Sequence, residues 1–301
     1  MLENGFMQMS ADMETRELIT GKLLFEYGFL KREVIGESRC KRPIDVLCVG
    51  NSRKQVLFTG AFHGMEWITS LILLKFLDEL CCAVKSGQSM YGINMGVMLD
   101  RRGLAVIPCV NPDGVEIQIN GAGSVGEYAR LVERACNGNT RKWQANAAGV
   151  DINHNFAAKW NDLKKLEIAN GITEPSPTRY GGEFPESEPE SRAAASYCRT
   201  GNITHALAFH SQGEEIYWDF GDYRDKEAFQ MAEMMSNASG YMIAEPTGLA
   251  SGGGFKDWFE EKFRRPAFTI EVGMGENPLP IGDFDGIYKK IKKMLVLGAV
   301  M

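Results

Sequence analysis

The sequence predicts one α/β domain, in which a mixed, mostly parallel, twisted sheet lies between layers of helices. Two observations lead to this fold class. Strand patterns alternate with helical patterns along nearly all of the 301 residues, and such alternation is typical of α/β folds. No Pro- or Ser-rich linker, low-complexity run or internal repeat divides the chain. We therefore expect a single domain over residues 1–301, with residues 1–15 disordered or peripheral.

The individual elements follow from local patterns in chain order. Short apolar runs that end in turn residues predict strands, and apolar positions three and four residues apart predict helices. The predicted strands are residues 30–36, 43–49, 54–60, 103–109, 205–210, 216–219, 240–244 and 266–272. The predicted helices are residues 14–27, 66–84, 125–136, 188–199, 225–238, 254–263 and 284–297.

Residues 157–187 contain several prolines and glycines and predict a long surface connection. In a compact domain such a connection is either a functional lid or binding wall or a solvated insertion. Directly after it, Ser187-Glu-Pro-Glu190 has the pattern of a capping box at the start of an alanine-rich helix. A structural role is expected for this motif.

Charge and hydropathy narrow the classes of partner. Lysine plus arginine number 33 and aspartate plus glutamate 39, which gives a net charge of −6. This mild acidity argues against nucleic acid as a partner. No stretch approaches ~18 uninterrupted apolar residues, so we expect no membrane span. The residues give no basis for predicting an oligomeric state.

Cysteine content and the first residues bear on location. The seven cysteines are odd in number and include no C-x-x-C pair, which predicts reduced thiols and favours the cytoplasm. Residues 1–10 have neither a basic stretch nor an apolar core, so they do not resemble a signal peptide. The expected location is therefore cytoplasmic, or extracytoplasmic if the sequence has been trimmed.

The most informative motif is His63-Gly-Met-Glu66, which follows an apolar strand pattern and precedes a long apolar helix. At such a junction this spacing brings an imidazole and a carboxylate to one point, and both are preferred zinc ligands. A His-x-x-Glu pair is otherwise common by chance on the surface turn of a helix. Whether the motif is a zinc site or a chance surface motif depends on whether further metal ligands occur elsewhere in the chain.

His210 is the candidate third ligand. It is one of only four histidines and ends the apolar run His205–His210. Two histidines and one glutamate leave an open coordination position, which a hydrolytic zinc ion needs. His205, in the same strand, is expected to be an ordinary core residue.

Glu271 is a carboxylate inside a hydrophobic strand pattern. A buried glutamate is rare unless it is paired or functional, so it is either a catalytic group or the partner of Arg264 or Arg265. Ligand sites of α/β sheets gather at the carboxyl ends of strands. Because His63 and His210 also fall at the ends of predicted strands, one common site is expected.

Two polar segments add to the pattern, Asn111-Pro-Asp-Gly114 and Gly149-Val-Asp151-Ile-Asn153. The former follows an apolar strand pattern and has the signature of a turn. Together with the His-x-x-Glu motif, Ser-Glu-Pro-Glu, the strand-end histidine and Thr-Ile-Glu271, their order resembles the zinc carboxypeptidases related to carboxypeptidase A. The resemblance covers residues 20–295, nearly the whole chain.

Within that family the chain resembles the γ-D-glutamyl-L-diamino acid peptidases, which cut bacterial cell-wall stem peptides. The segments that carry this similarity are Trp143–Asp151, Pro177–Gly182, His210–Trp218 and Phe255–Pro266. The resemblance implies a zinc peptidase that acts on a peptide substrate, and specifically on murein stem peptides.

The resemblance also assigns roles. Zinc bound by His63, Glu66 and His210 would lower the pKa of a bound water and polarise a carbonyl. Glu271 would be the general base that takes the water proton and passes it to the leaving amine. Asp151 would orient His63, since metal-bound imidazoles usually donate their other N–H group to an oxygen.

The chain departs from the family at several substrate-binding positions. Asn153-His154 stands where exopeptidases of the family carry Asn-Arg to grip a terminal carboxylate, and an imidazole cannot form the bidentate fork of a guanidinium. Gln144 stands at the position of the arginine that stabilises the oxyanion; it can donate a hydrogen bond but carries no charge. Arg141 or Lys142 could substitute for that charge.

A third departure concerns the rim of the pocket. The tyrosine that caps the substrate in carboxypeptidase A has no counterpart near Leu249, where Gly252-Gly-Gly254 predicts a mobile rim instead.

Diaminopimelate carries both amino and carboxyl groups, so a site for it needs ligands of both charges. The candidates for its ammonium end are Glu214, Glu215 and Glu183. The candidates for its carboxylates are Arg179 and the pair Asn153-His154.

Three functional hypotheses follow. The first is a zinc peptidase acting on γ-D-Glu-diaminopimelate bonds. The second is a zinc carboxypeptidase or deacylase of other specificity, which His154 and Gln144 keep open. The third is a catalytically weakened binding protein, and the presence of all four groups His63, Glu66, His210 and Glu271 argues against it.

Overall fold

The computed structural model describes residues 9–245 and 247–301. Its strands are β1 Lys31–Glu37, β2 Pro43–Val49, β3 Gln55–Thr59, β4 Ser89–Met90, β5 Ile93–Asn94, β6 Gly103–Ile107, β7 Ile203–His210, β8 Glu215–Tyr217, β9 Met242–Ala244 and β10 Ala267–Glu271. Its helices are α1 Met13–Glu26, α2 Ile68–Ser86, α3 Met95–Arg101, α4 Pro112–Asn120, α5 Ala129–Cys136, α6 Trp160–Ala169, α7 Pro189–Thr200, α8 Lys226–Ser239, α9 Phe255–Phe263 and α10 Phe284–Val300.

Eight strands form one mixed sheet in the order β1-β2-β6-β3-β7-β10-β8-β9. The four central strands, β6, β3, β7 and β10, run parallel to one another. Antiparallel pairings join β2 to β6 on one side and β8 to β10 on the other. The carboxyl ends of the central strands therefore meet at one edge, where a ligand site is expected.

Strand side chains alternate between two cores, as the period of a strand requires. In β7, Leu207 and Phe209 face the core beneath α1, α2, α8 and α10, while Ala206 and Ala208 face the core beneath α7 and α9. The small alanines on the second face leave room for the aromatic side chains of α9. This sheet between two helical layers confirms the α/β, single-domain prediction.

All eight predicted strands form the main sheet. Among the described residues, the sequence patterns did not predict the β4–β5 hairpin or the α-helices α3, α4 and α6. Helix α4 begins where the sequence signalled a turn: the Asn111 side chain accepts a hydrogen bond from the Gly114 N–H at 2.9 Å, and Pro112 occupies the first turn. An N-cap asparagine followed by proline starts a helix as readily as it starts a turn.

The predicted surface connection 157–187 contains helix α6, which the sequence pattern did not indicate. One local prediction is wrong. Ser187 does not cap α7 through a capping box; the N-cap is Glu188, without a side-chain cap, and the Ser187 hydroxyl donates to the Glu188 carboxylate at 3.0 Å.

The amino-terminal segment is packed over its described part. Ala11 is fully buried, Thr15 is 6% exposed, and the Met13 N–H donates to Glu116 at 2.6 Å. The expectation of disorder thus fails for residues 11–15, while residues 1–8 lie outside the described residues.

The seven cysteines, all within the described part of the chain, are free thiols. Among the described helices, none is both long enough and apolar enough to cross a membrane.

Candidate active site

Three polar side chains meet at the carboxyl ends of three neighbouring strands. His63 lies just beyond β3, His210 is the last residue of β7, and Glu271 is the last residue of β10. Since β3 pairs with β7 and β7 with β10, and since Glu271 lies opposite His210 in that ladder, the topology brings them together. The clustering predicted from the strand patterns is confirmed.

The turn between β3 and α2 is built to hold His63 and Glu66. The Thr69 hydroxyl accepts from the Ala61 N–H and donates to the Glu66 carbonyl, both at 2.8 Å. A Cβ atom at Gly64 would lie 2.2 Å from the Gly114 carbonyl oxygen, so only glycine allows α4 to approach here. Glu66 follows in a single 3₁₀ turn, Gly64–Glu66.

His63, Glu66 and His210 form a potential metal-binding group. The Glu66 carboxylate lies 2.9 Å from His63 Nδ1 and 3.0 Å from His210 Nδ1. One ligand atom from each residue lies within 4.8 Å of the others, and Glu66 and His210 are 3% and 1% exposed. Two imidazole nitrogens and a carboxylate facing one point are a donor set that fits zinc with an open position.

The electrostatics of this group favour a cation. Burial lowers the pKa of His63, but the carboxylates of Glu66 and Asp151 outweigh burial and hold this pKa well above its usual range. Burial raises the pKa of Glu66, whereas His63 and His210 lower it, and the lowering dominates. Carboxylates that stabilise positive charge on their neighbours would also stabilise a bound divalent ion.

Asp151 lies behind His63, as expected. Its Oδ1 is 3.1 Å from His63 Nε2. Its two oxygens also accept hydrogen bonds from the backbone N–H groups of Asn153 and Arg179, at 3.1 and 2.9 Å. Although burial raises the pKa of Asp151, His63 and His154 lower it more, so the group stays ionised. With Nε2 engaged by Asp151, Nδ1 of His63 faces Glu66.

Glu271 has no hydrogen-bond or ion-pair partner among the described side chains. Arg264 pairs with Asp222 at 2.9 Å, and Arg265 donates to the Ile203 carbonyl at 2.5 Å. Neither arginine therefore neutralises Glu271, which removes the ion-pair interpretation. Burial, followed by the nearby charge of Glu66, raises the pKa of Glu271 well above its usual range.

A pocket of about 430 Å³ opens over this cluster. Four of the residues singled out as substrate-binding candidates line it: Gln144, Asn153, His154 and Arg179. The 157–187 connection supplies Arg179 and is therefore a wall of the pocket rather than a remote insertion.

The polar groups of these four residues are partly engaged. Gln144 Oε1 accepts from the Thr178 hydroxyl, and Asn153 Oδ1 accepts from the Phe255 N–H at 3.0 Å. His154 is 9% exposed, and its Nδ1 lies 3.0 Å from the Arg179 carbonyl and 3.2 Å from Glu167. The amide nitrogens of Gln144 and Asn153 remain as donors, and the exposed Arg179 supplies a guanidinium.

The three glutamates predicted to bind the ammonium end of the substrate do not line the pocket. Glu214 pairs with Lys290 of α10 and does not line the pocket. Glu215 lies opposite Glu271 in the β8–β10 ladder and accepts from the Tyr217 hydroxyl at 2.6 Å, and Tyr217 rather than Glu215 lines the pocket. Glu183 is also outside the lining.

Of the two alternatives for a charged oxyanion donor, the structure brings one to the pocket. Lys142 lines it and forms an ion pair with Glu276, whereas Arg141 is not part of the lining. At the expected rim, Leu249 and Ala250 line the pocket beside Gly252 and Gly254.

Five polar residues of the pocket were not among the predicted site residues: Thr178, Tyr217, Lys256, Asp257 and Thr269. Thr269 could have been found, since it precedes Glu271 by two residues and strand residues two apart share a face. Lys256 and Asp257 gave no such signal, because charged residues early in a helix usually face water. His205, by contrast, is the core residue expected, with Nε2 2.7 Å from the Gly298 carbonyl.

The fold and the donor set together define a metallohydrolase with its site at the carboxyl edge of a mixed sheet. The sequence profile of the zinc carboxypeptidase family matches residues 27–293. The chain is 40% identical over 281 residues to γ-D-glutamyl-L-diamino acid endopeptidase 1 of Lysinibacillus sphaericus, covering 92% of this chain and 69% of that protein.

Solved structures share the fold. A carboxypeptidase A from Helicoverpa armigera superposes with a TM-score of 0.75 at 19% identity, over 98% of this chain and 74% of that one. A murein-tripeptide amidase from Escherichia coli O157 superposes with a TM-score of 0.55 at 19% identity, over 89% of this chain and 90% of that one. The chain belongs to the zinc carboxypeptidase family and is a metallopeptidase.

Proposed function

We propose that the protein is a zinc-dependent peptidase that hydrolyses the γ-D-glutamyl-diaminopimelate bond of murein stem peptides. The observation that carries this proposal is the 40% identity over 92% of the chain to an endopeptidase named for γ-D-glutamyl-L-diamino acid bonds. The pocket supports it, since it offers ligands of both charges next to the potential metal-binding group.

His63, Glu66 and His210 are proposed to hold the zinc ion. When bound, zinc would supply a Lewis acid that lowers the pKa of water and polarises the scissile carbonyl. The protein's own contribution is to fix the donors: Asp151 holds the His63 ring at 3.1 Å, and the β7–β10 ladder fixes His210 opposite Glu271.

Glu271 is proposed as the general base. It is free of ion-pair partners among the described residues, and it lines the pocket beside His210. It would accept the proton of the attacking water and return it to the leaving amine.

The negative charge that develops on the carbonyl oxygen during hydrolysis has to be stabilised by hydrogen-bond donors. Gln144 can donate through its amide nitrogen, and the Lys142 ammonium, which lines the same pocket, can approach if its exposed ion pair with Glu276 opens. An exposed pair of this kind costs little to open, on the order of 1 kcal/mol or less.

The carboxylates of the substrate are proposed to bind Arg179, Asn153 and His154. His154 Nδ1 is engaged by Glu167 and the Arg179 carbonyl, so Nε2 is the nitrogen that can reach a ligand. Glu215 is proposed to act on the substrate only indirectly. Its carboxylate accepts a hydrogen bond from the Tyr217 hydroxyl and so fixes the position of this side chain in the pocket. Glu214 is left out of the proposal because it pairs with Lys290.

The test is a comparison of two substrate classes. Zinc-loaded protein is incubated with L-Ala-γ-D-Glu-meso-diaminopimelate and, separately, with N-blocked dipeptides that end in Phe, Leu or Lys. Mass spectrometry should show release of diaminopimelate, with a higher kcat/KM than for any simple dipeptide.

A preference for the simple dipeptides would contradict the proposal and support a general zinc carboxypeptidase. Absence of turnover on both classes by a zinc-loaded protein would favour a binding protein of this fold.

A further inference from the structure

A second cavity, of about 410 Å³, lies at the opposite edge of the sheet from the candidate active site. Residues that come just before the four parallel central strands line it: Arg102 before β6, Lys54 before β3, Asn202 before β7, and Arg265 and Pro266 before β10. Because parallel strands begin at one edge and end at the other, the sheet that brings the candidate catalytic groups together at its carboxyl edge brings these residues together at its amino edge. We refer to this second pocket as the amino-edge cavity.

Four cationic side chains line the amino-edge cavity. They are Lys54, Arg102, Arg264 and Arg265. The chain as a whole carries a net charge of −6. A concentration of cations in one cavity therefore does not follow from the composition of the protein.

Two carboxylates also line the cavity, and helix α8 compensates both. Asp225 is the N-cap of α8, and its Oδ1 accepts hydrogen bonds from the Glu227 and Ala228 N–H groups at 2.7 and 3.2 Å. Glu227 lies in the first turn of the same helix, where the positive end of the helix dipole stabilises a negative charge. These carboxylates are therefore already stabilised without the cations of the cavity.

Arg102 and Lys54 form no ion pair with any described carboxylate of the cavity. Arg102 is half-buried; burial lowers its pKa, and the charge of Glu227 opposes this effect without reversing it. A partly desolvated guanidinium without a partner is energetically unfavourable. An anion bound in the cavity would remove this penalty.

The effect of Arg102 extends to a neighbouring buried side chain. Burial lowers the pKa of His205 to about 4, and the charge of Arg102 adds to this lowering, against the opposite effect of the Gly298 carbonyl. His205 is therefore neutral near pH 7. The positive charge of the cavity comes from lysine and arginine and does not depend on pH in the neutral range.

The two remaining arginines differ in what they can offer a ligand. Arg264 pairs with Asp222 at 2.9 Å and lies over the Tyr223 ring, 5.1 Å from its centre. Arg265 is held by one hydrogen bond, from Nη1 to the Ile203 carbonyl at 2.5 Å. Since a guanidinium has five N–H donors, Arg265 is oriented and still has donors for a ligand.

The spacing of the three available cations indicates the size of the ligand. In the strand order β6-β3-β7-β10, Arg102 and Lys54 precede neighbouring strands and Arg265 precedes the strand two positions beyond. Neighbouring strands are ~4.8 Å apart, so the backbones of the outer two cations are ~14 Å apart. A small monoanion can contact one end of this row, whereas a chain of anionic groups can contact all three cations.

We propose that the amino-edge cavity binds an oligophosphate, whose phosphate groups contact Arg102, Lys54 and Arg265. Phosphate oxygens match the forked N–H groups of arginine, and lysine binds them as a point charge. The inference is independent of the proposed function, because none of the groups assigned to zinc or to the peptide substrate lines this cavity.

The test is equilibrium dialysis of the zinc-loaded protein against phosphate, diphosphate and triphosphate, with bound phosphorus and retained zinc measured together. Triphosphate should bind at least ~10-fold more tightly than phosphate, because each additional charge-assisted hydrogen bond contributes to affinity. Zinc-free protein should give the same affinities. Affinity that does not increase with the number of phosphates, or that appears only after zinc is removed, would overturn the inference.

Replacement of single cations locates the ligand. Arg102→Gln should weaken triphosphate binding by ~10-fold or more, and Lys54→Gln should weaken it as well. Arg101→Gln, at the exposed neighbour outside the cavity, is the matched control and should leave the affinity unchanged. Equal losses for Arg101→Gln and Arg102→Gln would show non-specific attraction and contradict the proposal.

Two further variants exclude damage to the fold and binding at the active site. Glu227→Gln removes a carboxylate from the cavity and should tighten triphosphate binding at least ~2-fold at low salt, a gain that misfolding cannot produce. Arg179→Gln, in the active-site pocket, should leave the affinity unchanged. A loss for Arg179→Gln without a loss for Arg102→Gln would place the oligophosphate in the active-site pocket and overturn the inference.

ATP, dialysed alongside triphosphate, distinguishes the two sources of such a ligand. An affinity for ATP above that for triphosphate would identify a nucleotide, and an equal or lower affinity would identify the free phosphate chain. Either ligand should raise the melting temperature of the wild-type protein more than that of Arg102→Gln, because binding stabilises the folded state. Failure of both to bind would contradict the inference and would leave the proposed peptidase function untouched.

Discussion

Glu271 illustrates how a single residue acquires its chemistry from what surrounds it. It ends a central strand, lines the pocket, and has no cationic partner among the described residues. The two arginines near it in sequence are engaged elsewhere, with Asp222 and the Ile203 carbonyl. Its carboxylate is thus left as an acceptor at the place where a water molecule would be activated.

Replacing Glu271 by glutamine should separate chemistry from metal binding. Glu271→Gln is nearly isosteric but cannot take up a proton, so kcat should fall at least ~100-fold while zinc content stays at the wild-type value. The measurements are kcat on the γ-D-Glu-diaminopimelate substrate and elemental analysis. Glu261→Gln, at an exposed glutamate, is the control, and near-normal turnover of Glu271→Gln would mean that another group is the base.

At the scale of residues, the sequence predicts functional side chains that lie at the end of a strand. It does not predict the role of side chains that depends on neighbours distant in sequence. His63, His210 and Glu271 follow apolar strand runs, so their positions could be predicted. Glu214 and Glu215 are adjacent in sequence yet point to different neighbours, one to Lys290 and the other to Tyr217. No pattern in the sequence distinguishes these two glutamates.

At the scale of elements, helix α7 begins with two buried carboxylates of different character. Glu188 pairs with Arg39 at 2.8 Å, and although burial raises its pKa, this partner and Asn146 lower it overall. Glu190 accepts from the Arg39 N–H at 3.1 Å and from Asn146 at 3.2 Å. Burial and then the charge of Asp113 raise the pKa of Glu190 to about 8 from 4.5.

The raised pKa of Glu190 predicts a pH-dependent stability. Between about pH 4.5 and 8 the folded protein keeps this proton and the unfolded chain has lost it, so the contribution of Glu190 to stability falls as pH rises. Glu190→Gln does not titrate. Its free energy of unfolding should therefore improve relative to wild type from pH 5 to pH 8, by up to ~1.4 kcal/mol per pH unit.

Urea unfolding of both proteins at pH 5 and pH 8 measures this change. Glu183→Gln, at an exposed glutamate before the same helix, is the control, and its difference from wild type should be the same at both values of pH. A constant difference for Glu190→Gln as well would show that Glu190 is ionised in the folded protein.

Elements with strong periodicity could be predicted, and elements with ambiguous signals could not. The apolar helix α2 and the eight sheet strands have clear patterns. Asn111-Pro112 starts α4, although its sequence pattern fits a turn equally well. Tertiary contacts favour the helix, because Asn111 Nδ2 donates to the Phe62 and Gln144 carbonyls at 3.0 and 3.1 Å. Those contacts join the His63 turn to the Gln144 segment.

At the scale of the whole molecule, the potential metal-binding group joins two central strands. His63 and Glu66 follow β3, and His210 ends β7. A zinc ion bound by all three would stabilise the folded state only, since the unfolded chain has no such arrangement. The general fold and the family could be predicted from the sequence because their motifs span most of the chain, and the cytoplasmic location stays a prediction.

Removal of zinc should therefore lower the melting temperature. With free zinc ~100-fold above its Kd, binding adds ~2.7 kcal/mol to the free energy of unfolding, and a chelator should remove this gain. Calorimetric scans with zinc and with chelator measure the difference. His210→Ala should melt at the same temperature in both conditions, and an equal response of this variant to zinc would place the stabilising ion elsewhere.

The central claim is that one zinc ion is bound by His63, Glu66 and His210. The most direct test is a crystal of the zinc-loaded protein measured on both sides of the zinc absorption edge. The account predicts one anomalous peak per chain, within bonding distance of His63 Nδ1, His210 Nδ1 and the Glu66 carboxylate. A catalytically active crystal with no peak there, or with its zinc peak at other residues, would contradict it.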